Sequence, residues 1–210
     1  MTTIGLKMNK ILDYLDEILP DARCELNYNK DYELLIAVML SAQTTDKRVN
    51  EVTKIIFKKY KDLDTLSKAN IADLEKIIYP LGTYTKKARN VKNIAFKLKD
   101  LGCVPNDRKF LESLDGVGRK TTNVVLSTLY NEPYLAVDTH VDRVSKRLGL
   151  AYKNDDVLKV EQKLTKKIPK DRLGKTHHQL VLFGRYYCKA KNPLCDICKL
   201  NDICRYKKKH

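Results

Sequence analysis

The sequence predicts an all-α protein of about ten helices. Three observations carry that expectation. Apolar residues recur at helical spacing through most of the 210 residues. No convincing run of strict apolar–polar alternation, the mark of a half-buried strand, interrupts them. Glycine and proline fall between the periodic stretches, at Pro80–Gly82, Gly102–Pro105, Gly116–Gly118 and Pro133, where they punctuate helices.

Taken in order, Met1–Pro20 reads as a charged amphipathic helix whose stripe is Leu6, Ile11, Leu12, Leu15, Ile18 and Leu19. The same periodicity predicts helices over Tyr32–Gln43, Asp46–Tyr60, Ile71–Tyr79 and Thr85–Leu101. Asp107–Leu114, Gly118–Tyr130, Thr139–Leu148, Asp155–Lys167 and Arg172–Cys188 follow. There is no internal repeat of fixed period and no long linker.

The formal net charge is +15, which points to a polyanionic partner and first to nucleic acid. A solvated lysine-rich surface is the bland alternative. The excess is a C-terminal property: residues 146–210 hold 18 Lys and Arg against 6 Asp and Glu, whereas residues 1–145 hold 23 against 20. The N-terminus has no apolar signal region. The longest apolar run, Leu34–Leu40, is far too short to span a bilayer. A soluble intracellular protein with no membrane partner is expected. In a reducing compartment its six cysteines argue for metal or chemistry rather than disulfides.

Four of those cysteines, Cys188, Cys195, Cys198 and Cys204, form a C-x6-C-x2-C-x5-C array. Thiolates this close together can surround a soft metal centre. Zinc sites built from four cysteines usually show two C-x2-C pairs, and here there is one. The irregular spacing better suits a [4Fe–4S] cube, with zinc and disulfides as the alternatives. Cys24 and Cys103 stand alone and are expected to be small buried apolar residues. A loop anchored on a cluster at both ends would hold Lys189 and Lys191 outward, with Lys191 as a phosphate clamp; any loop in this basic segment would carry lysines too.

The stretch "LDGVGRKTTNVVL" from Leu114 looks like a phosphate-binding turn opening a helix. A nucleoside-triphosphate loop needs four residues between its glycines and a lysine directly after the second. Here only Val117 separates Gly116 from Gly118, and Arg119 intervenes before Lys120. The dinucleotide fingerprint needs a third glycine where Thr121 stands. What remains is a tight turn feeding a helix whose N–H groups point at an anion. An ordinary helix–turn–helix corner with no ligand fits the same residues.

In combination these features resemble one family. "LDGVGRKTTNVVL" is similar to the hairpin of the helix–hairpin–helix DNA glycosylases. "AVDTHVDRVSKRLGL" from Ala136 is similar to the Gly/Pro-rich loop and aspartate that follow it. "LSAQTTDKRVN" from Leu40 is similar to the family's N-terminal signature, and the cysteine array has its [4Fe–4S] spacing. Running from about Ile11 to Tyr206, the resemblance is to the endonuclease III family of the helix–hairpin–helix Gly/Pro-Asp superfamily. It implies a six-helix barrel domain over residues 22–133 and an iron–sulfur domain built from residues 1–21 and 134–210, with DNA lying across the cleft between them. It also implies a monomeric, cytoplasmic, nucleoid-associated, bifunctional DNA N-glycosylase and AP lyase. Such an enzyme excises oxidised pyrimidines from duplex DNA and cleaves 3′ to the abasic site by β-elimination in base excision repair.

The implied roles map residue by residue. Gly116 and Gly118 would let backbone N–H groups reach DNA phosphate without sequence readout. Lys120 matches the family's nucleophile: its neutral amine would attack C1′ and hold the sugar as a Schiff base. Positive potential from Arg119 and the helix N-terminus favours that neutral form. Asp138 matches the carboxylate that accepts the proton and stabilises the cationic sugar, and as a residue it is also a good N-cap. Taken alone, Lys120 is more often a phosphate-binding lysine; the motif around it favours the nucleophile. Gln43 matches the glutamine that fills the gap left by the extruded nucleotide, its alternative being a polar helix C-cap.

Three departures stand out. Asp115 replaces a common proline. Thr83 stands where relatives often place an apolar wedge, for which Leu81 is a substitute. Lys175 and Gln179 replace an acidic residue and an aromatic before the cluster. A mismatch-specific glycosylase of the same fold and a non-catalytic DNA-binding module with a structural metal are the rival readings.

Overall fold

The computed structural model describes residues 3–206; Met1, Thr2 and residues 207–210, included in the expected first helix and domain ranges, lie outside the described residues. Eleven α-helices appear among the described residues and no strand. They are α1 (Thr3–Ile18), α2 (Asp31–Leu40), α3 (Asp46–Lys59), α4 (Leu63–Ser67), α5 (Ile71–Ile78) and α6 (Tyr84–Leu98). After these come α7 (Arg108–Glu112), α8 (Arg119–Tyr130), α9 (Thr139–Arg147), α10 (Val157–Lys167) and α11 (Leu173–Leu182). The expected all-α architecture is borne out.

Caps set many of the helix starts. Thr45, Asp62, Asn70, Asp107, Asp138 and Asp156 each accept a backbone N–H of the first turn through the side chain. The Asp62 cap starts α4, a single turn that the periodicity did not reveal because five residues are too few to show a period.

The chain divides into two compact units: Glu25–Tyr130, and the chain up to Cys24 together with Asn131 onward. In the first unit α2 is buried along Tyr32–Leu40, and from Leu34 to Leu40 every residue is apolar, so this helix is central. Helices α3, α6 and α8 pack around it, α4 and α5 pack on α6, and α7 packs on α8. Asp31 opens α2 and ties it to the chain beyond α6 by accepting the Val104 N–H at 2.6 Å.

In the second unit Met8, Ile11, Leu12 and Leu15 of α1 join Val141 and Val144 from α9, Leu148 just after it, Val160 and Leu164 from α10, and Leu173 and Leu180 from α11 in one core. Leu6, expected in the stripe, is 56% exposed; Met8 takes the inward position, in register with Ile11, Leu12 and Leu15. The expected last helix ends at Leu182 and loosens into a π-turn over Phe183–Tyr187, closed by the Cys188 N–H on the Phe183 carbonyl at 2.7 Å. Gly184 is required there, because a Cβ would stand 2.9 Å from Cβ of His140 on α9.

Cys24 is half-buried and Cys103 is exposed, against the expectation of burial for both. Cys103 follows Gly102 in the turn after α6, where the chain runs along the surface.

Candidate functional site

The hairpin is anchored from beneath. Leu114 and Val117 are buried, and the Val117 N–H bonds the Leu114 carbonyl at 3.1 Å. That leaves Asp115, Gly116, Gly118, Arg119 and Lys120 exposed on the outer side of the turn. Gly116 sits at φ +79, and a Cβ there would meet Asn90 Nδ2 at 2.3 Å, so backbone and packing both demand glycine. At Gly118 a Cβ would meet nothing within 4 Å, so packing within the chain does not require glycine there.

Helix α6 braces this turn along one face. Besides Asn90, Asn93 Nδ2 donates to Asp115 Oδ2 at 2.9 Å, and Lys97 Nζ donates to the Ser113 carbonyl at 3.2 Å. The Asp115 carboxylate is thereby turned toward α6. The first turn of α8 carries Arg119 and Lys120 and no acidic residue, so its positive dipole end is reinforced.

Gln43 is not a helix cap. Helix α2 ends at Leu40 with Ser41 as its C-cap, three residues earlier in the chain than expected. Gln43 lies exposed in the turn that follows, at φ 58. Thr83 is also exposed and left-handed, at φ 45. Each such conformation costs a non-glycine residue on the order of 1 kcal/mol. Leu81 is 4% exposed and packs inward, so it is no wedge; the projecting residue of that turn is Thr83.

Asp138 opens α9. Its Oδ1 accepts the backbone N–H groups of His140 and Val141, each at 2.8 Å, and its Oδ2 stands 3.2 Å from His140 Nδ1. The capping reading and the catalytic reading are therefore compatible: the cap fixes the carboxylate. The preceding extended segment is held by His177, whose Nδ1 lies 2.9 Å from the Ala136 carbonyl.

The four clustered cysteines, all half-buried and unbridged, line one cavity with Tyr14, Leu148, Phe183, Tyr187, Leu194 and Tyr206. Burial pushes the Cys198 and Cys204 thiols up, and the neighbouring cysteines push them further. Four thiolates are stable here only around compensating positive charge, which an iron–sulfur cluster supplies. Thiols spread around a cavity suit a cube that takes one ligand at each corner. Cys188, Cys195, Cys198 and Cys204 would hold the cluster, whose contribution is to cross-link this segment.

Arg143 and Arg147, one turn apart on α9, brace that segment; sequence reading missed them. Arg143 donates to the carbonyls of Gly184 at 2.7 Å and Cys188 at 3.2 Å. Arg147 donates to the Lys189 carbonyl at 2.7 Å and to Cys188 Sγ at 3.4 Å. Their signal was an i, i+4 basic pair following Asp138. Lys191 is exposed in the loop thus held. The two departures before the cluster also find a partner: Lys175 at 3.0 Å and Gln179 at 2.9 Å converge with Arg172 on Asp16 of α1. Burial alone would raise the Asp16 carboxyl, but these hydrogen bonds outweigh it and hold it at about 2.

Comparison with known proteins decides the family. Residues 36–170 match the HhH-GPD superfamily of base excision DNA repair proteins, and residues 188–204 match the iron–sulfur binding domain of endonuclease III. Endonuclease III of Bacillus subtilis (strain 168) is 46% identical over 92% of this chain and 90% of its own length. The chain belongs to the endonuclease III family. Endonuclease III of Escherichia coli (strain K12) is 42% identical over 97% of each chain. A trapped endonuclease III–DNA covalent intermediate, an estranged-adenine complex, superposes with a TM-score of 0.91 at 47% identity, covering 98% of this chain and 97% of its own. A thermostable thymine-DNA glycosylase shares the fold at a TM-score of 0.87 and 22% identity. Membership of the endonuclease III family brings the [4Fe–4S] cofactor and the class of DNA glycosylase with AP lyase activity.

Proposed function

We propose that Lys120 and Asp138 carry the glycosylase and AP lyase chemistry of this endonuclease III family member, acting on oxidised pyrimidines in duplex DNA. Attack by the neutral Lys120 amine at C1′ forms a C–N bond as the C1′–base bond breaks, and the base departs with the electron pair. The Asp138 carboxylate takes a proton from the attacking nitrogen and stabilises positive charge on the sugar. Ring opening leaves a Schiff base whose C2′ proton is acidified. Its loss expels the 3′ phosphate by β-elimination.

The observation that supports this reading most is an exposed lysine in the first turn of α8, set by the hairpin at Gly116 and Gly118. An amine nucleophile also accounts for a covalent protein–DNA intermediate, which has been trapped for the solved relative. Gly116, Gly118 and Lys191 would bind phosphate, and Gln43 would fill the gap left by the extruded nucleotide. In this reading Glu25–Tyr130 is the hairpin-bearing barrel domain and the other unit is the cluster domain. No helix among the described residues is long and apolar enough to cross a membrane, and we take the enzyme to act as a monomer on nucleoid DNA in the cytoplasm.

Duplexes each carrying one defined lesion test the substrate class. Base release and strand cleavage should occur at oxidised pyrimidines and not at undamaged mismatches. The reverse pattern would make this a mismatch glycosylase of the same fold.

A further inference from the structure

Lys87, in the first turns of α6, is 5% exposed, and its ammonium donates to two backbone carbonyls, Ala42 and Leu81, each at 2.9 Å. Burying an ammonium is costly unless its donors are satisfied, so the location calls for a reason. The two carbonyls lie 39 residues apart in the chain and belong to the two turns that carry Gln43 and Thr83. Ala42 immediately precedes Gln43. Leu81 ends the 3-10 turn before Gly82 and Thr83. The backbone of Lys87 also holds the second turn, its N–H bonding the Thr83 carbonyl at 3.0 Å. Both exposed residues occupy left-handed conformations that need support from their surroundings.

We propose that Lys87 is a positioning residue that fixes the Gln43 and Thr83 turns relative to one another, so that the two side chains enter the base stack as a matched pair when a nucleotide is extruded. This rests on the reading of Gln43 given above and adds Thr83 as its companion. A single buried cation suits the task. Its three donors sit on a flexible stem and reach carbonyls of separate segments. Lys87 touches no substrate; it acts through the two turns. The same helix face continues through Asn90, Asn93 and Lys97 to the hairpin, so α6 ties both turns to the segment that opens α8.

The test is a mutant cycle read on two substrates. Lys87→Met keeps an unbranched apolar stem, one atom shorter, and removes the donors. Base release from a lesion in fully paired duplex should fall by about 10²-fold, the loss expected for a displacement of roughly 1 Å. Borohydride trapping on an abasic site in single-stranded DNA, which has no stack to fill, should stay within about twofold, because binding and chemistry there need no gap-filling pair. In a Gln43→Ala, Thr83→Ala background, Lys87→Met should cause little further loss on the duplex. Losses that multiply across the cycle, or that fall equally on both substrates, would overturn the proposal and make Lys87 a purely structural cation. If Lys87→Met does not fold, Lys87→Gln, which retains one N–H donor group, is measured in the same way. Undiminished base release from the duplex by the Gln43→Ala, Thr83→Ala protein would instead overturn the reading of Gln43 beneath the proposal.

Discussion

The Asp138 carboxylate accepts the backbone N–H of Val141 at 2.8 Å, so a residue proposed for catalysis is also the cap of α9. The two roles separate by substitution. Asp138→Asn keeps an oxygen for the cap and loses the charge. Turnover should fall by roughly 10²–10⁴-fold while the unfolding midpoint changes little. Asp138→Ala should show the same loss of turnover and also destabilise the fold by about 1 kcal/mol, the usual cost of a lost cap. Kinetics and urea denaturation of both variants check this, and equal stability of the two would remove the cap from the account.

Lys191 stands exposed on a loop whose carbonyls at Lys189 and Ala190 are gripped by Arg147. A rigid loop makes its lysine a fixed phosphate contact. Lys191→Ala should lower the slope of log affinity against log salt by about one and weaken all duplexes alike. Titrations at several salt concentrations measure it, and an unchanged slope would take the loop out of the DNA contact.

Burial holds the His178 imidazole down at about 4, from an ordinary value of 6.5. Between those values the folded chain keeps His178 neutral while the unfolded chain binds a proton. Stability from this group is therefore present above pH 6.5 and is lost as pH falls toward 4. His178→Gln should flatten that dependence. Unfolding midpoints of both proteins at pH 7.5 and pH 5 give the comparison, and parallel profiles would contradict it.

How legible these features were in the sequence depended on how local they are. The cysteine array spans seventeen residues, and its spacing alone favoured a cluster. The hairpin and its lysine were legible because Gly116 and Gly118 mark the turn in sequence. Partners far along the chain were not. Asp115 departs from the family's proline, and the Asn93 side chain that holds its carboxylate lies 22 positions away. The Ala42 carbonyl that binds Lys87 lies 45 positions off, and backbone acceptors leave no mark in composition. Lys175 and Gln179 answer to Asp16, which lies more than 150 positions away and leaves no local mark beside them. Helix α2 was read three residues too long because periodicity continues smoothly where Ser41 stops the helix.

The central claim is that the Lys120 amine forms the covalent bond to DNA. Its most direct test is borohydride trapping on duplex DNA with a single abasic site, comparing wild-type protein with Lys120→Gln. Wild-type protein should give one covalent adduct. Lys120→Gln should give none, while still binding the duplex and retaining its iron, since the change touches none of the four cysteines. An adduct formed by Lys120→Gln would show that another amine is the nucleophile and would contradict the account.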